Sequence, residues 1–248
     1  MKPVKLLMVA SLATLIATGS QAQVAQDVKE RVQDRRNLRQ DAANVQAERT
    51  DADRLSDLVM HCNALRAANA GPQKIANVQA DIAAELRHDL KLSTIQAAEA
   101  GRKTRQAKQE LRSDRRAVRS DIQNVQTDQN SGTPGQVAQE KSELRDDLHD
   151  KRDDRRDVVK EAHDLNRTDQ FLAQKKDLVA QLCALQKQID AGGKNMRELQ
   201  TKREALLQDY LTVSQKEFSL GLRQYVEDRQ ELREDRRETR EDKRDDDH

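Results

Sequence analysis

The sequence predicts an all-α protein: tandem-duplicated long antiparallel helical hairpins forming an elongated coiled coil or four-helix bundle. Three observations predict it. Charged residues are 36% of the chain and aromatics 2%, with no tryptophan. A thick globular core is hard to build from that composition, whereas helices burying a narrow seam of Leu, Val, Ile and Ala are not. Apolar residues recur at spacings of three and four, the signal of an amphipathic helix. Displaced by about 120 residues, the sequence also falls into register with itself. Low hydrophobicity and abundant charge describe disordered chains too, but the balanced signs and the apolar period favour helix.

The N-terminus reads as a secretory signal peptide over residues 1–22. Lys2 and Lys5 precede an apolar run from Leu6 to about Ala17, and the small residues Ser20 and Ala22 flank Gln21. The run is short for a bilayer span, which needs roughly 20 residues, although an uncleaved anchor is the alternative. Cleavage after Ala22 leaves a mature chain with no second apolar segment and no cysteine placed for lipidation. A periplasmic or extracellular location follows.

The first hairpin is assigned to residues 23–129, with its turn at Gly71-Pro72. Glycine ends a helix by taking the left-handed conformation, and proline starts the next one. Before the turn Leu38, Ala42, Val45, Ala52, Leu55, Val59 and Cys62 mark a seam. After it Ile75, Val78, Ile82 and Leu86 resume the seam, and Leu111, Val118, Ile122 and Val125 extend it. At 1.5 Å per residue, about 40 residues per arm span about 60 Å.

Residues 130–135, Asn-Ser-Gly-Thr-Pro-Gly, form the linker. The second hairpin occupies residues 136–248, with its turn at Gly192-Gly193 and a charged tail from about residue 240. Leu58-Val59 aligns with Leu178-Val179, and Ala64-Leu65 with Ala184-Leu185. Glu110-Leu111-Arg112 aligns with Glu231-Leu232-Arg233, after one inserted residue beside the glycines.

Two features stand at matching places in the repeats. Cys62 and Cys183 are nearly equivalent, and export favours a disulfide between them. Free, buried seam thiols and intermolecular pairing are the alternatives. Asp-Arg-Arg clusters contribute Arg35, Arg36, Arg115, Arg116, Arg155, Arg156, Arg236 and Arg237, which the hairpin topology would gather at one charged interaction end. They read either as a face of ion pairs three and four residues apart or as an arginine mouth for carboxylates and phosphates, which the neighbouring aspartates weaken. From Arg102 to Asp121 basic residues outnumber acidic ones, and from Glu227 to Asp247 the reverse holds. Such arms are complementary for pairing.

Metal ligation has little support in the sequence. Met60-His61-Cys62 has the ligand types for copper or zinc, but adjacent helical residues point in different directions. His88, His149 and His163 lie among charges and read as solvated, as does the tail Asp245-Asp246-Asp247-His248. No cofactor is expected.

One motif carries a resemblance. Leu211-Thr212-Val213-Ser214-Gln215 and Leu92-Ser93-Thr94-Ile95-Gln96 resemble the repeated L-T-x-x-Q motif of the Spy/CpxP group of periplasmic, all-helical stress proteins. The resemblance implies chaperoning of unfolded envelope proteins or a metal response. Ser93 or Thr212 could cap a helix, with the glutamine three residues on closing a capping box.

No glycine-rich phosphate loop, paired CxxC, HExxH or nucleophile elbow is present, so no enzyme and no small-molecule substrate is expected. Lys plus Arg (45) nearly balance Asp plus Glu (44), and two tyrosines with two phenylalanines cannot form stacking platforms for single strands. Nucleic acid is therefore not an expected partner. The sequence predicts a non-enzymatic structural or interaction protein, a coiled-coil scaffold or self-assembling spacer. Its partners would be its own copies or envelope proteins.

Overall fold

The computed structural model describes residues 6–131, 134–192 and 195–245, with side chains from residue 32 onward except at 33, 34, 131, 231, 234–236 and 238–245. The leader's side chains, Gly193, the Arg236 side chain, the tail's side chains from residue 238 and residues 246–248 altogether fall outside that description. Four helices account for nearly all of it: α1 (Leu6–Ala67), α2 (Pro72–Ser131), α3 (Pro134–Asp190) and α4 (Met196–Asp245). No strand occurs among the described residues, and the fold is all-α, as predicted. No helix among the described residues is long and apolar enough to cross a membrane.

The first turn works differently from the expectation. The left-handed residue is Asn69, at φ 49°, and not Gly71. The Asn69 N–H donates to Arg66 O (3.0 Å) and the Ala70 N–H to Leu65 O (2.9 Å), the paired bonds of a Schellman cap. Gly71 begins α2 instead. Its carbonyl accepts from the Lys74 N–H at 3.0 Å, and Pro72 takes the first helical position, where its missing N–H costs nothing. In the second turn Gly192 does carry the left-handed residue, at φ 72°, and donates to Ile189 O.

The chain divides into two compact units. One is Asp51–Glu217. Its core draws on all four helices: Leu55 and Cys62 from α1, Val78, Ile82 and Leu86 from α2, Leu182 from α3, and Leu207, Tyr210 and Leu211 from α4. This is a helical bundle. Hydrogen bonds fix the directions of the helices within it. Bonds from Lys175 to Ser93 and from Thr104 to the Glu161 carbonyl run α2 and α3 antiparallel. Bonds from Tyr210 to Asp89 and from Ser93 to Glu217 run α2 and α4 parallel. Along α2, Leu111, Val118 and Val125 are buried at seven-residue spacing, the coiled-coil repeat. Ile122, placed in the seam by its type, is 40% exposed.

The other unit combines Met1–Thr50 with Phe218–His248. Leu220 and Leu232 are buried there. At Gly221 an added Cβ would lie 3.1 Å from Glu48 Oε2 and 3.5 Å from Val45 Cγ2. The absence of a side chain lets α4 approach α1 closely.

Candidate functional site

Three clusters of ionisable groups in the bundle unit are each built from residues on facing helices. The first lies in its interior. Lys175 on α3 is fully buried, with Asp89 on α2 and Glu217 on α4 each 4% exposed. Lys175 Nζ pairs with Asp89 Oδ2 at 2.7 Å and also with Glu217 Oε2. It donates to Ser93 Oγ at 3.0 Å, and that hydroxyl lies 3.0 Å from Glu217 Oε2. Tyr210 Oη donates to Asp89 Oδ2 at 2.7 Å and Ser214 Oγ does so at 3.3 Å. Lys175 Nζ also stands 5.5 Å from the Tyr210 ring centroid, within cation–π range.

The electrostatics follow from burial and partners. Burial works to neutralise Lys175, but Glu217 and Asp89 outweigh it and hold the ammonium above its ordinary range. Burial pushes Glu217 up, while Lys175 pulls it back. The Tyr210 hydroxyl is pushed up by burial and then by Asp89, so it stays a donor. This network pairs charges across three helices, although Glu217 Oε1 is buried without a partner. Sequence reading missed it, because Lys175 was not counted in a seam of apolar residues.

The second place is a column of carboxyl groups between α2 and α3. Asp114 hydrogen-bonds Asp154, and seven residues along each helix Asp121 hydrogen-bonds Asp147. The column continues towards Glu140, which Asp128 and Asp121 both repel. Carboxyl groups so close share a proton. Burial, the Asp114 bond and the nearby charges of Asp114, Glu110 and Asp157 push Asp154 up to about 8. Burial and Asp147 push Asp121 up to about 6.

The third is Asp51 on α1 with Glu85 and His88 on α2, whose ligand-type atoms all lie within 4.8 Å of one another. His88 Nδ1 is 2.9 Å from Asp51 Oδ2. Asp51 and Glu85 are 5% and 7% exposed, whereas 65% of the His88 side chain faces solvent. His88 is therefore not simply solvated, as its sequence setting suggested.

No known protein family, curated protein or solved structure matches this chain. Its own geometry must carry the reading.

The other predicted sites fare unequally. The expected Cys62–Cys183 disulfide is absent, since both thiols are free, Cys62 buried and Cys183 exposed. The reason is angular. Leu182, and not Cys183, lies 120 residues after Cys62 and joins it in the core. One further residue turns the side chain about 100° around the helix. Arg35, Arg36, Arg115, Arg116, Arg155, Arg156 and Arg237 are all exposed, and Arg156 pairs with Asp153 at 2.9 Å, the ion-pair reading. Where the α2 and α3 clusters meet, the contact is between Asp114 and Asp154. Met60 is 59% exposed and Cys62 1%, so those neighbours diverge as helix geometry requires.

The motif residues do not cap helices. Ser93 and Thr212 sit inside α2 and α4, with hydroxyls bonded back to the carbonyls of Asp89 and Gln208. That bond is the ordinary mid-helix resort of Ser and Thr.

Proposed function

We propose that this chain is an exported, non-enzymatic structural or interaction protein, a helical scaffold or self-assembling spacer of the envelope or extracellular space. The observation that carries the reading is the Lys175–Asp89–Glu217 network. A lysine and two carboxylates are enclosed where a substrate cannot reach them, and they answer one another across α2, α3 and α4. Buried ionic groups of this kind serve helix register better than they serve stability. Export rests on the basic start, short apolar run and small residues of the leader.

A duplicated hairpin origin is supported by burial that recurs at the repeat offset. Leu55 and Lys175, Cys62 and Leu182, Leu86 and Leu207, Ser93 and Ser214, and Gln96 and Glu217 are all buried. The residues resembling the Spy/CpxP motif fall partly within this set, so here they serve the interior of the bundle.

Sedimentation and client assays test the proposal. A scaffold self-associates at low salt, dissociates as salt rises because its charged arms are screened, and leaves aggregation of an unfolded client unchanged. Suppression of client aggregation near equal molar ratio, without self-association, would replace this reading with an envelope chaperone.

A further inference from the structure

We propose that Asp51, Glu85 and His88 bind a divalent cation of the zinc type, clasping α1 to α2. The proposal stands apart from the scaffold reading and would survive its failure.

The ligand set comes from geometry that the sequence alone does not give. Glu85 and His88 are three residues apart on α2 and so share a face. Asp51 reaches them from α1. A carboxylate on one helix facing a Glu-x-x-His pair on another is a general way for bundles to build metal sites. All three ligand atoms lie within 4.8 Å of one another, so side-chain shifts of about 1 Å bring them to the roughly 2.0–2.2 Å bond lengths of one zinc-type ion.

The second observation is an unmet demand. Glu85 is 7% exposed, and its Oε1 is buried without a hydrogen-bond partner. A buried carboxylate oxygen left unsatisfied is costly, and a cation would satisfy it. The nearest compensation is Arg54, whose Nε stands 3.6 Å from the other oxygen and whose side chain is 70% exposed. That side chain can swing into water when an ion enters.

The donors select the metal. Imidazole suits zinc, copper, nickel and iron better than calcium or magnesium, which favour all-oxygen sets. Three protein ligands leave at least one position for water, and the exposed His88 provides the approach from solvent.

Calorimetric titration of the metal-free, full-length protein with zinc chloride tests the site. Expected are one strong site and a melting temperature that rises with zinc, as ligation of the folded form requires. His88→Ala, at an exposed position, should weaken binding about tenfold or more, the lower end of what disturbing a metal site costs. Glu85→Gln should act similarly. His149→Ala removes another exposed His–Asp pair, at 3.1 Å, and should leave the strong site intact. Circular dichroism checks that each variant is helical. No strong site in the parent protein, undiminished binding by His88→Ala, equal loss in His149→Ala, or displacement of zinc by equimolar calcium would each overturn the proposal.

Discussion

Lys175 Nζ on α3 lies 2.7 Å from Asp89 Oδ2 on α2, with the lysine side chain wholly removed from water and the aspartate's 6% exposed. Leu55, 120 residues earlier in α1, is also enclosed. Under the proposed duplication, one hairpin would keep an aliphatic residue where the other keeps an ion pair. A pair of this kind contributes little net stability when intact, yet its disruption is expensive, because the surviving charge stays buried.

Lys175→Leu should therefore destabilise the chain by about 3–5 kcal/mol, read as a lower urea midpoint. Adding Asp89→Asn and Glu217→Gln to Lys175→Leu should recover part of the loss, since no unpaired charge then remains. A triple variant less stable than the single one would contradict this account of the network.

The carboxyl column sets a pH dependence. Asp121 and Asp154 bind protons more tightly folded than unfolded, so their contribution is fully present below the ordinary aspartate value near 3.8. It is lost as pH rises through about 6 for Asp121 and about 8 for Asp154. The melting temperature should fall between pH 5 and pH 9, and Asp154→Asn should flatten the upper part of that decline. Relief of about 1 kcal/mol, the upper end for partly exposed charges, corresponds to about 2–4 °C in a chain of this size.

Arg203 is 5% exposed and its Nη1 has no partner. Burial and the neighbouring Arg66 hold its guanidinium below the ordinary range. Arg203→Met should raise the unfolding free energy by about 1–4 kcal/mol if it behaves as replaced buried charges do, read as a higher urea midpoint. A lower midpoint would mean that the arginine has a compensating role.

The two turns should respond oppositely to alanine. Gly192→Ala places a Cβ on a left-handed residue and should cost about 1–2 kcal/mol. At Gly71, where an added Cβ meets nothing within 4 Å, alanine should be nearly neutral. Asn69→Gly should be tolerated too. Thermal melts of the three variants decide it.

The helices and both turns were legible because glycine and proline interrupt an otherwise continuous three-and-four period. Asn69 was not, since the choice of left-handed residue depends on how α1 finishes its last turn. Lys175 was legible in principle: Leu172, Lys175, Val179 and Leu182 keep spacings of three, four and three. Reading the seam by residue type passed over it. Asp114, Asp121 and Asp128 likewise repeat every seven residues, yet they read as part of a solvated charged face. Placing Asp51 beside His88 requires the register of α1 against α2, which folds back about the turn, so no local pattern reveals it.

The one-residue offset between the cysteines has a kinetic meaning. A Cys62–Cys183 bond is open to the unfolded chain, in which any two thiols can meet, but not to the folded bundle, which encloses one and presents the other to solvent. In an oxidising compartment, collapse of the bundle and oxidation of the thiols would compete for the same chains. A chain oxidised first would be locked out of the native packing until reduced. Speed of folding, as much as depth of the native well, would then decide the yield of protein.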